Sequence, residues 1–300
     1  MKKSRFPEGI VVPMITPFKG KSMDEVDTSA AATLTNYLIQ NGVHGLMTHG
    51  TSGEFLMQTP EERAAITETV VNTTAGRVKV IAGISDASTK KVISHGKSAV
   101  SAGADAVIAT GPIYYKTNDE GLYDHFQSII DNVELPLMIY NIPKWIGYNV
   151  PPEVVRKLVD RNKDRIIGVK FTTTDLGPFI EYLRLLKDKI SVMIGADQLV
   201  FTALELGAAG SVVGGANVIP REYSEIYDQF KQGNLERSKA FQLKIDGFTE
   251  AMKLGTYPAP LKEGLRYLGM ECGNVRPPLV PLDPSQAEKL RKSLAWKKRK

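Results

Sequence analysis

Three places in the sequence set reactive side chains at or just past the ends of short apolar runs. Lys170 closes Ile166-Ile-Gly-Val-Lys170, Tyr140 closes Leu137-Met-Ile-Tyr140, and Gly50-Thr-Ser-Gly-Glu54 follows Gly45-Leu-Met-Thr48. Such runs read as buried strands, and strand alternation puts Gly168, Lys170 and Thr172 on one face with Val169 and Phe171 on the other. Gly168 would then make room for the lysine. An amine desolvated among apolar neighbours loses stabilisation of its charged form and becomes a nucleophile able to form a Schiff base with a ketone. A phenol on the preceding strand can pass protons between that amine, the carbinolamine and the substrate. Hydroxyls and N–H groups in a tight glycine-bounded turn can cradle a carboxylate. Plainer uses stand beside these: a strand-end lysine also reaches solvent or pairs with an acid, Tyr140 could donate one structural hydrogen bond, and Gly-Thr-Ser-Gly also makes an ordinary loop. Glu54 is expected to order its loop rather than act on a substrate.

Metal chemistry fits poorly. The four histidines, His44, His49, His95 and His125, form no H-x-x-x-H pattern or compact cluster, and Cys272 is the only cysteine. One cysteine also excludes an intrachain disulfide and suits a reducing compartment. His49, just before the glycine turn, could touch a substrate, with packing an equal alternative. The pair Gly214-Gly215 would permit close approach of an anion such as phosphate.

Elements must exist to bring these groups together. The reading gives eight strands: Gly9 to Met14, Gly45 to Thr48, Lys79 to Gly83, Ala106 to Thr110, Leu137 to Tyr140, Ile166 to Lys170, Val192 to Gly195 and Ser211 to Gly214. Helical segments between them carry start signals at Thr59-Pro-Glu-Glu62, Asn118-Asp-Glu120 and Pro220-Arg-Glu222. The turns beginning at Gly42, Gly103 and Gly207 share one template, in which a glycine ends a helix in the left-handed region and a buried strand follows. An open dinucleotide-binding sheet would want G-x-G-x-x-G after the first strand, but Val12-Pro-Met-Ile-Thr-Pro-Phe18 stands there. The expected fold is therefore α/β, a (β/α)8 barrel (TIM barrel) over residues 1–232, with a helical extension over 233–300 built from Leu235 to Leu254, Pro260 to Leu268 and Ser285 to Trp296. In such a barrel the site lies at the C-terminal ends of the strands, where Lys170 and Tyr140 are.

The 300 residues carry a net charge of +5. Lys2, Lys3 and Arg5 at one end and Lys297, Lys298, Arg299 and Lys300 at the other more than account for it, leaving the body at −2. Basicity confined to the tails, with no zinc-finger or aromatic RNA-binding pattern, argues against nucleic acid as a partner. No apolar run approaches the roughly 20 residues of a membrane span. The charged start Met1-Lys-Lys-Ser-Arg-Phe-Pro7 has no apolar segment behind it, so no secretory signal is expected and the cytoplasm is the expected location.

Taken together, Pro13-Met-Ile-Thr-Pro-Phe18, Gly50-Thr-Ser-Gly-Glu54, Pro112-Ile-Tyr-Tyr115, Tyr140-Asn-Ile-Pro143, Gly168-Val-Lys170, Gly195-Ala-Asp197 and Arg276-Pro-Pro-Leu279 resemble, in order and spacing, the dihydrodipicolinate synthase and N-acetylneuraminate lyase family of pyruvate-dependent Schiff-base lyases. The resemblance covers nearly the whole chain. It implies that Lys170 condenses with the keto group of pyruvate or a pyruvoyl substrate, that Tyr140 relays protons, and that Thr51 and Ser52 hold the pyruvyl carboxylate. It implies a homotetramer in which Tyr115, with Tyr114 as a rival, reaches a neighbouring subunit's site. It also implies that no metal or organic cofactor is required, since the iminium is itself the electron sink. Departures bear on the substrate. Trp145, after Lys144, stands where dihydrodipicolinate synthases usually carry an arginine for a second carboxylate, and tryptophan cannot make a bidentate contact. Gln198 and Gly214 replace the acid and the serine usual in neuraminate lyases. Gly195, Gly214, Thr172 and Asp197 are expected at the substrate, Asp197 toward a polyol, with Phe171 and Thr173 as in several sugar-acid aldolases. The expected substrate is a 2-keto-3-deoxy sugar acid; the lysine-pathway synthase, the neuraminate lyase, a dehydratase or decarboxylase, and a keto-acid-binding barrel without turnover are the alternatives.

Overall fold

The computed structural model describes residues 6–20 and 22–298. Of the basic tail residues, Lys2, Lys3, Arg5, Arg299 and Lys300 lie outside them. Strands form at β1 (Gly9–Pro13), β2 (Phe18–Lys19), β3 (Glu25–Val26), β4 (Gly45–Thr48), β5 (Lys79–Gly83), β6 (Ala106–Thr110), β7 (Leu137–Asn141), β8 (Ile166–Phe171), β9 (Ser191–Ile194) and β10 (Gly210–Val212). Eight of them close a parallel barrel in the order β1-β10-β9-β8-β7-β6-β5-β4, and β1 pairs β4 to seal it. β2 and β3 form a separate antiparallel hairpin that the sequence reading did not contain. Two-residue strands carry too little alternation to register in sequence.

The strands are buried on both faces. Val11, Met47, Ile81, Ile108, Met138, Tyr140 and Met193 fill the barrel interior, while Val107, Ile139, Val169, Phe171 and Val192 face the helices outside. This is why the strands read as continuous apolar runs rather than as an alternating pattern. Helix starts follow their caps. Thr59 and Glu62 form a reciprocal capping box, and Asn118 Oδ1 accepts from the Gly121 N–H at 2.9 Å. The helix Pro220–Lys231 opens on its proline without a side-chain cap. Gly42, Gly103 and Gly207 have φ of +82°, +78° and +98°, the left-handed turn expected of the repeat.

Boundaries shift by one to three residues where pairing decides them. β7 and β8 each gain a residue through the pair Asn141 and Phe171. β10 stops at Val212 because residues Gly214–Asn217 coil into a 3₁₀ turn. Asn217 fixes that turn to β1: its Oδ1 accepts from the Ile15 N–H, and its Nδ2 donates to the Pro13 and Gly214 carbonyls, each at 2.9 Å.

The C-terminal helices run Leu235–Ala251, Ala259–Tyr267 and Pro284–Ser293. They do not form a core of their own: Phe248, Leu261, Leu265, Leu290 and Leu294 belong to the same buried cluster as Ile10, Val12 and Leu46 of the barrel. Across that contact, Lys262 Nζ meets Glu54 Oε1 at 2.7 Å with both side chains nearly inaccessible, and the Arg276 N–H reaches Glu54 Oε2 at 2.8 Å. The extension therefore grips the loop that follows β4. Among the described residues no helix is long and apolar enough to cross a membrane.

Candidate active site

Tyr140 and Lys170 are direct register partners on β7 and β8, at the C-terminal rim of the barrel. Both are almost fully buried, at 5% and 3% exposure, and Lys170 Nζ lies 4.0 Å from the centroid of the Tyr140 ring. The ring face holds the amine at the mouth. Gly168 is required for a different reason from the one expected. A Cβ there would come within 2.8 Å of the Ser191 carbonyl on β9, so the glycine admits the neighbouring backbone rather than the lysine stem.

After β4 the segment Thr51–Gly53 makes a 3₁₀ turn, closed by Gly53 N–H to Gly50 O at 3.0 Å and Glu54 N–H to Thr51 O at 3.2 Å. Thr51 lines the cavity at the barrel mouth, and Ser52 Oγ lies 2.6 Å from the hydroxyl of Tyr257. Glu54 orders this turn, as expected, through its contacts with Lys262 and Arg276. His49 packs. Its two ring nitrogens lie 2.9 Å from Gln58 Oε1 and 2.8 Å from Thr67 Oγ1, and burial, with Arg63 nearby, pushes its pKa down to about 3. The other histidines are dispersed, His44 beside Asp228, His95 beside Asp86 and His125 beside Thr89.

Asp197 is more committed than the sequence suggested. Its Oδ1 accepts from the Gly215 N–H at 2.8 Å and from the Tyr223 hydroxyl at 2.7 Å. Burial pushes its carboxyl above the usual carboxylate range, against the lowering pull of those hydrogen bonds and of the Lys170 charge. Because a carboxylate oxygen already takes the Gly215 amide, this glycine pair is poorly suited to phosphate. Gly195 and Gly214 each make way for a side chain: a Cβ on Gly195 would lie 2.0 Å from Thr172 Oγ1, and one on Gly214 would lie 2.3 Å from the Tyr257 hydroxyl. Phe171 faces outward into the helix layer, and Thr173 Oγ1 accepts from the Asp175 N–H, so neither is presented to a ligand.

The cavity has two characters. Its wall combines the hydroxyl-bearing residues Thr51, Thr110, Tyr140 and Tyr257 with the apolar residues Ile113, Ile142, Trp145 and Ile146. Among the described residues, Thr110 Oγ1 and Thr172 Oγ1 are buried and pair with no protein group. Trp145, 56% exposed, stands at the rim; Lys144 is exposed and is not part of the wall. Tyr114 and Tyr115 are 84% and 70% exposed with their rings 4.9 Å apart, and neither lines this cavity; Lys170 lies behind its wall, against Tyr140. Tyr257 is the group the sequence reading missed. It sits in Gly-Thr-Tyr-Pro with no strand or helix periodicity around it, and only the packing of the C-terminal extension carries it to Ser52.

Residues 6–297 match the profile of the dihydrodipicolinate synthetase family. The chain is similar to proteins named 4-hydroxy-tetrahydrodipicolinate synthase from Pelobacter propionicus, 34% identical over 93% of this chain and 95% of the relative, and from Methanocaldococcus jannaschii, 34% identical over 92% and 93%. Among solved structures, dihydrodipicolinate synthase from Aquifex aeolicus superposes with a TM-score of 0.92 at 31% identity, covering 97% of this chain and 98% of the other. An E. coli prophage protein of the dihydrodipicolinic acid synthase family, solved in complex with pyruvate, gives 0.93 at 27% identity over the same shares.

Proposed function

This chain belongs to the dihydrodipicolinate synthetase family, and on that footing we propose that it is a carbon–carbon lyase whose Lys170 forms a Schiff base with a pyruvyl group. The observation that carries this reading is the buried Lys170 set on the Tyr140 ring at the rim of a closed barrel. The lysine nitrogen attacks the keto carbon, the keto oxygen takes one proton from that nitrogen and a second through Tyr140 and leaves as water, and an iminium remains. The carbon beside the iminium is bonded to a hydroxyl-bearing carbon. When that hydroxyl gives up its proton, the bond between the two carbons breaks, leaving an enamine on the pyruvyl side and releasing an aldehyde; the reverse joins them. Tyr140 moves the protons, and Thr51 and Ser52 receive the pyruvyl carboxylate. The iminium accepts the electron pair, so the cycle requires neither a metal nor an organic cofactor. Tyr115 serves the site of a second copy in a homotetramer acting in the cytoplasm.

For the remainder of the substrate we propose a 2-keto-3-deoxy sugar acid. The unpaired hydroxyl of Thr110, on the cavity wall, supports it, since it can bond a polyol hydroxyl. The names of the relatives favour aspartate semialdehyde instead. Against that, Trp145 occupies the arginine position and Lys144 lies outside the wall, leaving a second carboxylate without a cation. Sialic acid is disfavoured by Tyr257, which fills the space where a serine at position 214 would stand. The test is to incubate the protein with pyruvate and glyceraldehyde, aspartate semialdehyde or N-acetylmannosamine, and identify the products by mass. Consumption of glyceraldehyde above the others supports the sugar acid, and preference for aspartate semialdehyde supports the lysine-pathway reaction. No turnover of any aldehyde would leave a keto-acid-binding barrel.

A further inference from the structure

Ser52 and Tyr257 are 205 residues apart in sequence, yet their hydroxyls meet at 2.6 Å inside the barrel mouth. Each hydroxyl carries one proton, so only one of them can donate in this contact. Which one donates matters. If Ser52 donated to the phenol, it would present lone pairs to an incoming carboxylate and repel it. If the phenol donates, the serine proton is left to point at the carboxylate. The phenol is the stronger acid of the two and therefore the better donor, and burial, with Asp197 and Tyr140 nearby, keeps it protonated. The contact is also held from behind. The Tyr257 hydroxyl occupies the place a side chain on Gly214 would need, with that Cβ position 2.3 Å from the phenol oxygen and 3.5 Å from Ser52 Oγ. A side chain larger than hydrogen at position 214 would drive the phenol off the serine.

We propose that Tyr257 is a positioning residue: by donating its hydroxyl proton to Ser52 Oγ, it fixes the serine as the hydrogen-bond donor to the pyruvyl carboxylate. The inference rests on the assignment of Ser52 to that carboxylate under the proposed function. It gives the C-terminal extension a direct part in substrate binding, because the tyrosine is carried into the barrel by the segment ahead of the helix Ala259–Tyr267.

Tyr257→Phe keeps the ring and removes the donor. The expected result is a KM for pyruvate raised about tenfold with kcat lowered by less than about threefold, as befits a group that orients binding rather than chemistry. The same substitution in a Ser52→Ala background should change KM by less than about twofold, because the hydroxyl it orients is gone. Gly214→Ala is expected to reproduce the KM rise of Tyr257→Phe from the other side of the contact. An unchanged KM in Tyr257→Phe would overturn the inference, as would an equal KM rise in the presence and absence of Ser52, which only a packing role predicts. Borohydride reduction with saturating pyruvate separates this from the underlying reading. Labelling of Lys170 in wild type and variant with no KM effect sinks the role of Tyr257 alone, whereas no labelling of the wild type sinks both.

Discussion

Replacing Lys262 by methionine should destabilise the whole chain far more than removal of a surface ion pair would. The ammonium and the Glu54 carboxylate are 2.7 Å apart with side-chain exposures of 2% and 0%, so Lys262→Met leaves a carboxylate buried beside a methyl group. Removing one partner of such a buried pair costs about 3–5 kcal/mol, whereas replacing the pair together is often close to neutral. The variant also forfeits the Lys262 Nζ bond to the Asn274 carbonyl at 2.8 Å, which places the expected cost toward the upper part of that range. A domain of ordinary stability has roughly 5–15 kcal/mol in all, so this one substitution removes a large share of it. Urea unfolding of wild type, Lys262→Met, Glu54→Gln and the double variant forms a thermodynamic cycle. The double variant should recover at least about 2 kcal/mol of the cost of Lys262→Met, because the introduced glutamine amide is neutral and still offers the Arg276 N–H an oxygen to bond. A Lys262→Met cost below about 1 kcal/mol, or no recovery in the double variant, would refute the view that this pair clamps the extension to the β4 loop.

Trp145→Arg should raise kcat/KM for aspartate semialdehyde about 10- to 100-fold, the worth of a charge-assisted contact to its carboxylate, as measured by product formation with pyruvate. Gly195→Ala forces Thr172 aside, since the new methyl would lie 2.0 Å from its Oγ1 and 3.0 Å from its Cα; a loss of about 1–3 kcal/mol in urea and a higher KM for a sugar-acid substrate are expected. Acid should weaken the fold through His49 and His125, whose pKa values burial holds down to about 3 and about 4. Between those values and the unfolded value of 6.5 the unfolded chain binds more protons, so this stability is present above 6.5 and lost as the pH falls. Each histidine should account for roughly 2 kcal/mol between about pH 7.5 and 5. Unfolding curves at the two pH values check this, and His125→Asn should shrink the drop by roughly 2 kcal/mol.

How legible this molecule was depends on the range of the interaction. Lys170, Tyr140 and the eight barrel strands could be read because a buried strand writes its identity into a handful of consecutive residues, and a polar group ending such a run stands out. The helix caps at Thr59 and Asn118 were legible for the same reason. Gly168 shows the limit. Its presence beside Lys170 was noticed, but the atom that demands it is the Ser191 carbonyl on β9, in the next barrel strand along the chain. Tyr257, the Lys262–Glu54 pair and Asn217 were illegible altogether, since each acts across about two hundred residues and carries no local pattern. Asp197 was found but not its bond to Tyr223, which occupies one of its two carboxylate oxygens. Tyr115 belongs to a third kind, a residue whose proposed task lies on another copy of the chain.

The proposed chemistry depends on the amine of Lys170 becoming joined to a keto carbon. Reduction with borohydride in the presence of pyruvate, followed by proteolysis and mass spectrometry, reads this directly. The expected result is a single reduced pyruvyl group on the peptide containing Lys170, absent without pyruvate and absent in Lys170→Ala. A label on a different lysine, or an unlabelled protein at saturating pyruvate, would contradict it.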